Sequence, residues 1–227
     1  MNKKTAILIF AHSAEFEAIQ KPFQSSEVLF NALNTRTIET VQRTGLPYFL
    51  SSEKNQIGST FGERFTNAIQ SVYDKGFHNV ITIGNDTPHL ESQHILNALC
   101  KLENNDIVLG PSKDGGFYLM GLQKSHFNTD TFLKLPWQTS RLQKSVSKLV
   151  ASQHISLSYL ELLSDIDTVS DTKIITNCFR RLSKQIKHIL QQYISIEKKI
   201  INVLFSTIET PLQKLLLNKG SPILLHI

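Results

Sequence analysis

The chain of 227 residues has only two cysteines, Cys100 and Cys178, which lie far apart and without the spacing of a zinc site. A disulfide framework needs several cysteines in a short secreted chain, so we expect two reduced thiols in a cytoplasmic protein. No apolar run approaches the roughly 20 residues of a membrane-spanning helix. The apolar start at Thr5–Phe10 is too short for a signal peptide, and we interpret it as a strand.

Several common catalytic motifs are also missing from the sequence. It contains no Gly-x-Gly-x-x-Gly, no Gly-x-x-x-x-Gly-Lys-Ser/Thr, no His-Glu-x-x-His and no Gly-x-Ser-x-Gly. These absences argue against a dinucleotide-binding protein, a P-loop protein, a zinc protease and an α/β-hydrolase.

Glycine and charge divide the chain into two parts. Nine of the ten glycines fall between Gly45 and Gly121, where tight loops are therefore expected. Residues 170–227 carry a balance of +6 and residues 1–169 a balance of −1. We predict one domain over 1–170 and a basic helical extension over 171–227. The extension is expected to solvate its charges rather than bind nucleic acid, and its apolar stripe is a candidate contact between copies of the chain.

Apolar periodicity predicts an α/β fold with a mostly parallel sheet flanked by helices. The predicted strands are Thr5–Phe10, Pro47–Leu50, Val80–Ile83, Ile107–Leu109, Phe117–Leu122 and Ile155–Leu160. Helices are predicted from Ser26, over Phe61–Tyr73, Ser92–Leu102 and Trp137–Val150, and in the extension over Thr172–Ile189 and Ile194–Phe205.

Acidic residues follow three of the predicted strands. Asp86 lies in Gly84-Asn85-Asp86-Thr87-Pro88, Asp114 precedes two glycines, and Asp165 and Asp167 alternate in an extended segment. Turn formation or helix capping accounts for each of them taken singly. Ligands of such sheets bind beyond the carboxyl ends of the strands, so together the acids predict a site for magnesium or manganese and a phosphate ligand.

The ordered motifs of residues 5–170 resemble those of a known family. The proteins in question are bacterial glycosyltransferase-like proteins of the arsenosugar-biosynthesis type, in the nucleotide-diphospho-sugar transferase superfamily with the GT-A fold. The motifs are Gln56-Ile57-Gly58, Phe61-Gly62-Glu63-Arg64, Ile83-Gly84-Asn85-Asp86-Thr87-Pro88, Val108-Leu109-Gly110-Pro111, Asp114-Gly115-Gly116-Phe117-Tyr118-Leu119-Met120-Gly121-Leu122, Trp137-Gln138-Thr139 and Asp165-Ile166-Asp167-Thr168.

The resemblance, together with the chemistry of the residues themselves, gives each candidate residue an expected role. Asp86, Asp165 and Asp167 would hold a divalent metal, Mg or Mn, that neutralises the leaving diphosphate. Asp114 and Asp167 would be the catalytic carboxylates. The residues expected to bind the nucleotide-sugar donor or an unknown acceptor are His12, Lys21, Glu63, Arg64, Gly115, Gly116 and Trp137.

Residues 11–23 are expected to form the loop after the first strand, but they depart from the family pattern, because they contain neither the glycine nor the Lys-Thr-Arg of that loop. Lys21 is the candidate for the missing basic position, and His12 is a candidate contact for the nucleotide base. Three functions therefore stay open. They are metal-dependent glycosyl transfer, nucleotidyl transfer of the cofactor-guanylyltransferase type, and a non-catalytic binding or scaffold role.

Overall fold

A computed structural model describes residues 4–21, 26–177, 182–192 and 195. The strands are β1 Thr5–Phe10, β2 Tyr48–Ser51, β3 Asn79–Ile83, β4 Ile107–Pro111, β5 Phe117–Gln123 and β6 Leu157–Tyr159. The helices are α1 Ala14–Gln20, α2 Ser26–Gln42, α3 Phe61–Asp74, α4 Ser92–Lys101, α5 Thr129–Leu133, α6 Leu142–Ser152 and α7 Val169–Thr176, with a 3-10 turn at Lys124–His126. Within these residues no helix is long and apolar enough to cross a membrane.

The six strands form one mixed sheet in the order β2-β1-β3-β5-β4-β6. Strand β5 runs antiparallel to both of its neighbours, and every other pair is parallel. The predicted α/β class with a mostly parallel sheet is therefore confirmed. The carboxyl ends of β1, β3 and β4 lie at one edge of the sheet, where the loops that follow them meet.

The central strands are apolar on both faces because helices cover both sides of the sheet. In β1, Ala6 and Leu8 belong to one core cluster and Ile7 and Ile9 to another. Helices α3 and α6 contribute to the first cluster and α4 to the second. All four β1 side chains are at most 2% exposed. This burial on both faces fixes the ends of the strands and thereby positions the loops that follow them at the sheet edge.

Helix α3 begins with a reciprocal cap that places its first turn beside the sheet edge. The Thr60 hydroxyl accepts a hydrogen bond from the Glu63 N–H (3.2 Å), and the Glu63 carboxylate accepts one from the Thr60 N–H (3.2 Å). Such capping boxes satisfy two of the free N–H groups at a helix start. Gly76 follows the last residue of the cap, Lys75, with φ +86°, a conformation that favours glycine after a helix.

The segment after β1 differs from the expected loop. Residues 14–20 form helix α1, whose start is capped by the Ser13 hydroxyl accepting from the Phe16 N–H (3.3 Å). The predicted helix over Trp137–Val150 begins only at Leu142. Residues 137–141 form turns instead, with Gln138 at φ 57° and the Trp137 indole N–H donating to the Phe132 carbonyl (2.7 Å).

The C-terminal part packs on α2 through apolar side chains. Ile175 of α7 and three side chains of a helical segment at 184–192 belong with Leu29 and Phe30 to a third core cluster; the three are Ile186, Ile189 and Leu190. The prediction of one continuous helix over Thr172–Ile189 is wrong. Helix α7 ends at Thr176, and the Ser183 hydroxyl accepts a hydrogen bond from the Ile186 N–H (3.2 Å) at the start of a second helix. Phe179, Arg180, Arg181 and nearly all of Ile194–Phe205 lie outside the described residues. The boundary near residue 170 stays a prediction.

Candidate functional site

A cavity of about 770 Å³ opens at the carboxyl edge of the sheet. Residues of α1, the turn after β3, the loop between β4 and β5, and the segment after β6 line it. Its aromatic side chains are Phe10, Phe16, Phe61, Phe65, Phe117, Tyr118 and Trp137. Its ionisable side chains, apart from Tyr118, are His12, Glu17, Lys21, Arg64, Asp86, Asp114, Asp165 and Asp167.

The Lys21 ammonium is at the centre of the acidic part of the lining. Its Nζ lies 2.7 Å from Asp167 Oδ1, 3.3 Å from Asp86 Oδ2 and 3.8 Å from Glu17 Oε2. It also donates to the Ile166 carbonyl (3.1 Å). Burial lowers the pKa of Lys21, but the three carboxylates together outweigh that effect and hold the pKa above its usual value. Lys21 is therefore charged in the folded protein.

Glu17 is a buried carboxyl on α1, one helical turn before Lys21 and 6% exposed. The pKa of Glu17 is raised to about 7, mainly because the carboxyl is buried. Repulsion from Asp86, Asp167 and Glu53 adds to the rise. The attraction of Lys21 acts in the opposite direction. Glu17 thus changes charge near neutral pH inside the cavity.

Asp165 is joined to the turn after β3. Its carboxylate accepts a hydrogen bond from the Thr87 hydroxyl, and the neighbouring Ile166 N–H donates to the Asp86 carbonyl (2.9 Å). The pKa of Asp165 is raised to about 7, mainly by burial and in addition by the charges of Asp86 and Asp114, while the Thr87 hydrogen bond opposes the rise. The two acidic segments predicted from the sequence are therefore held side by side.

The loop between β4 and β5 presents Asp114 to the cavity. Its Oδ1 accepts from the Gly116 N–H (2.9 Å) and from the Ser112 hydroxyl. Gly115 has φ +93°, and a Cβ atom there would lie 2.8 Å from the Ser140 carbonyl oxygen. Only glycine fits this turn without strain. Gly116 lines the cavity, whereas Gly115 shapes the loop behind it.

His12 and Arg64 lie near each other at another part of the lining. The His12 ring packs on Phe16 at 4.5 Å between centroids, and its Nδ1 is 3.7 Å from Glu53 Oε2. Among the described residues, no hydrogen-bond partner meets this buried Nδ1. Burial lowers the pKa of His12 despite the nearby Glu53, and the charge of Arg64 lowers it too. The ring is therefore expected to be neutral at pH 7.

Trp137 and Glu63 have structural contacts as well. The Trp137 ring covers Gly62 so closely that a Cβ atom on Gly62 would lie 2.7 Å from Trp137 Cδ1. Glu63 serves the capping box of α3 and is not among the lining residues. The cavity thus brings together nine of the sequence-predicted residues and leaves Gly115 and Glu63 outside; the nine are His12, Lys21, Arg64, Asp86, Asp114, Gly116, Trp137, Asp165 and Asp167.

Sequence reasoning missed Glu17 and Phe16, because it treated residues 11–23 as a loop. The signal was present, since Ser13 is a preferred cap and acidic residues follow it at Glu15 and Glu17. A helix from Ala14 places Glu17 and Lys21 four residues apart on one face.

The acidic side chains as they lie do not fit a divalent ion. Within the described part of the chain, no group of three or more His, Cys, Asp or Glu side chains is arranged to hold a metal. Asp86 and Asp167 instead share the Lys21 ammonium, and Asp165 is bonded to Thr87.

Comparisons with known proteins agree with this fold. The family described as "Uncharacterized protein conserved in bacteria (DUF2064)" matches residues 27–139. A crystal structure from Desulfovibrio desulfuricans G20, of a protein suggested to be a nucleotide-diphospho-sugar transferase, is similar with a TM-score of 0.73 and 21% identity. The similarity covers 86% of this chain and 97% of that one. No curated protein matches the chain in sequence.

Two more solved structures are similar to the chain at lower sequence identity. The 4-diphosphocytidyl-2C-methyl-D-erythritol synthase of Anaerococcus prevotii DSM 20548 has a TM-score of 0.50 and 11% identity over 83% of this chain and 96% of that one. Rv0371c of Mycobacterium tuberculosis H37Rv, determined in complex with manganese, has a TM-score of 0.46 and 13% identity over 77% and 98%. The similarity to the Desulfovibrio desulfuricans structure shows that the chain has the nucleotide-diphospho-sugar transferase fold. Its chemistry has to be argued from its own site.

Proposed function

We propose that the protein is a transferase that binds a nucleotide-diphosphate sugar in the cavity at the sheet edge and passes the sugar to an acceptor hydroxyl. The observation that carries this proposal is the convergence of three acidic segments, with Arg64 and Lys21, on one cavity of about 770 Å³. That volume suits a ligand of this size. The same edge is where ligands of such sheets bind.

The reaction needs a leaving group, a nucleophile and a base. The acceptor oxygen bonds to the anomeric carbon, and the bond from that carbon to the diphosphate oxygen breaks, its electron pair leaving with the nucleoside diphosphate. A carboxylate takes the hydroxyl proton. We assign that role to Asp114, because its Oδ1 is held by the Gly116 N–H (2.9 Å) and the carboxylate is fixed in the lining. Asp167 serves instead to hold Lys21, which it contacts at 2.7 Å.

The diphosphate requires positive charge, and the cavity offers it from side chains. Arg64 lines the cavity beside neutral His12, whose ring with Phe16 provides an aromatic surface for the nucleotide base. The sequence predicts magnesium or manganese at Asp86, Asp165 and Asp167. In the structure, Asp86 and Asp167 contact Lys21, and Asp165 accepts a hydrogen bond from Thr87. No step of the reaction is therefore assigned to a metal. The titration described next compares donor binding with and without Mn²⁺.

Calorimetric titration with a panel of nucleoside diphosphates and their sugars, with EDTA or with Mn²⁺, tests the proposal. We expect saturable binding that discriminates the base. Removing a charged contact to phosphate costs at least about tenfold in affinity, so Arg64→Ala should weaken binding by that factor. Arg43→Ala, which removes an exposed arginine in the turn after α2, is the matched control.

Asp114→Asn separates binding from transfer. It should keep donor binding and lose the release of nucleoside diphosphate measured by chromatography in the presence of candidate acceptors, by at least about a hundredfold. Asp130→Asn, on the exposed start of α5, should behave as wild type. An Asp114→Asn protein that still transfers at the wild-type rate would remove Asp114 from the chemistry.

Other outcomes would assign a different function. Release of pyrophosphate from a nucleoside triphosphate would indicate nucleotidyl transfer of the cofactor-guanylyltransferase type. Binding of no nucleotide at all would favour a non-catalytic scaffold, which the replacement of the glycine-containing loop by α1 already supports. The arsenosugar type, the cytoplasmic location, the lack of a nucleic-acid partner and a homo-oligomer contact through the C-terminal helices stay predictions.

A further inference from the structure

We infer that Lys21 is the resident cation of the acidic site and excludes a divalent metal from it. Its ammonium lies between the two carboxylates, Asp86 and Asp167, that a metal at this edge of the sheet would use. The inference deepens the proposed function, because it names the cation at the acidic face of the donor cavity.

Lys21 is held in this place from several directions. Besides the contacts to Asp167 (2.7 Å), Asp86 (3.3 Å) and Glu17 (3.8 Å), its ammonium donates to the Ile166 carbonyl (3.1 Å). The ring centroid of Phe30 lies 5.2 Å from Nζ. The side chain is only 18% exposed.

The backbone fixes the starting point of the side chain. Lys21 is the residue that ends α1, and its N–H donates to the Glu17 carbonyl (2.7 Å). The helix therefore delivers Lys21 and Glu17 to the cavity together. A surface lysine would lose most of its rotamer freedom on adopting such a position, so the contacts that hold it must outweigh that loss.

A divalent ion and the ammonium compete for the same oxygens. Magnesium binds oxygen at about 2.1 Å and needs several such ligands at once. An ion that close to Asp167 Oδ1, which is 2.7 Å from Lys21 Nζ, would lie within about 5 Å of the ammonium. Two positive charges at that distance repel strongly in a partly buried site. Metal entry thus requires Lys21 to leave both carboxylates, and the partly buried ammonium would then lose its charge partners.

Titration of Mn²⁺ alone, followed by electron paramagnetic resonance of the free ion, tests the inference on the full chain. Wild type should bind Mn²⁺ weakly. Lys21→Met keeps the length of the side chain and removes the charge, so it should bind Mn²⁺ at least about tenfold more tightly. Adding Asp86→Asn to Lys21→Met should abolish the gain. Lys148→Ala, an exposed lysine on α6, controls for the change of net charge and should match wild type.

Two results would overturn the inference. One is a wild type that binds Mn²⁺ within twofold of Lys21→Met, and the other is a gain in Lys21→Met that survives Asp86→Asn. If Lys21→Met does not fold, Lys21→Gln takes its place, and a tight Mn²⁺ site in wild type would by itself refute the exclusion. No nucleotide is present in these titrations, so failure to bind a donor and failure of the exclusion are separate results.

Discussion

Glu17 gives the protein a pH dependence that can be measured apart from any activity. The carboxyl is 6% exposed and lies 3.8 Å from Lys21 Nζ. Burial, with the charges of Asp86, Asp167 and Glu53, raises its pKa from 4.5 to about 7, although Lys21 counteracts the rise. The folded protein therefore keeps a proton on Glu17 at pH values where the unfolded chain has lost it.

The sign and size of the effect follow from this difference. Between about pH 4.5 and about pH 7 the folded state binds more protons than the unfolded state, so the free energy of unfolding falls as pH rises. A rise in pKa from 4.5 to about 7, at about 1.4 kcal/mol for each pKa unit, amounts to about 3 kcal/mol. This cost is absent below the lower pKa and fully present above the higher one.

Glu17→Gln removes the titration and keeps the shape of the side chain. Urea unfolding from about pH 4.5 to about pH 8 should show the variant gaining about 3 kcal/mol relative to wild type across that range. Glu103→Gln, which changes an exposed glutamate in the turn after α4, should keep a constant difference from wild type. If the wild-type and Glu17→Gln curves run parallel through neutral pH, burial does not hold the proton on Glu17, and the reasoning is refuted.

Two further substitutions test the packing around the cavity. Gly62→Ala would bring a Cβ atom to 2.7 Å from Trp137 Cδ1, so it should destabilise by about 1–3 kcal/mol and shift the emission of this single tryptophan; an unchanged spectrum would contradict the close packing. Tyr73→Phe removes the buried hydrogen bond to the Leu122 carbonyl (3.1 Å) and should cost about 1–2 kcal/mol in urea unfolding. Tyr48→Phe, at an exposed position, is its control, and an equal effect of both would show that the Tyr73 bond contributes nothing.

Most strands could be predicted because their signal is local. The apolar run at Thr5–Phe10 coincides with β1, and the run at Val80–Ile83 lies within β3, since both strands are buried on both faces. The place of β5 between β3 and β4 could not be predicted, because strand order depends on contacts between distant segments. Gly121 of β5, for example, faces Leu102 so closely that an added Cβ atom would lie 3.0 Å from it.

The site was predictable where polar residues directly follow a strand. This rule indicates four acidic residues as site residues, and all four line one cavity; they are Asp86, Asp114, Asp165 and Asp167. Their partners were not predictable in the same way. Lys21 contacts Asp86 across 65 positions of the sequence, and Thr87 bonds to Asp165 across 78.

Helix α1 changes how this cavity can recognise an anion. A glycine-containing loop would offer backbone N–H groups to phosphates, whereas α1 uses most of its N–H groups within the helix and contributes the side chains of Glu17 and Lys21 instead. Positive charge must then come from side chains, and Lys21 is already shared among carboxylates. With Lys21 shared between Asp86 and Asp167, we expect an anion that binds here to depend mainly on Arg64 for positive charge.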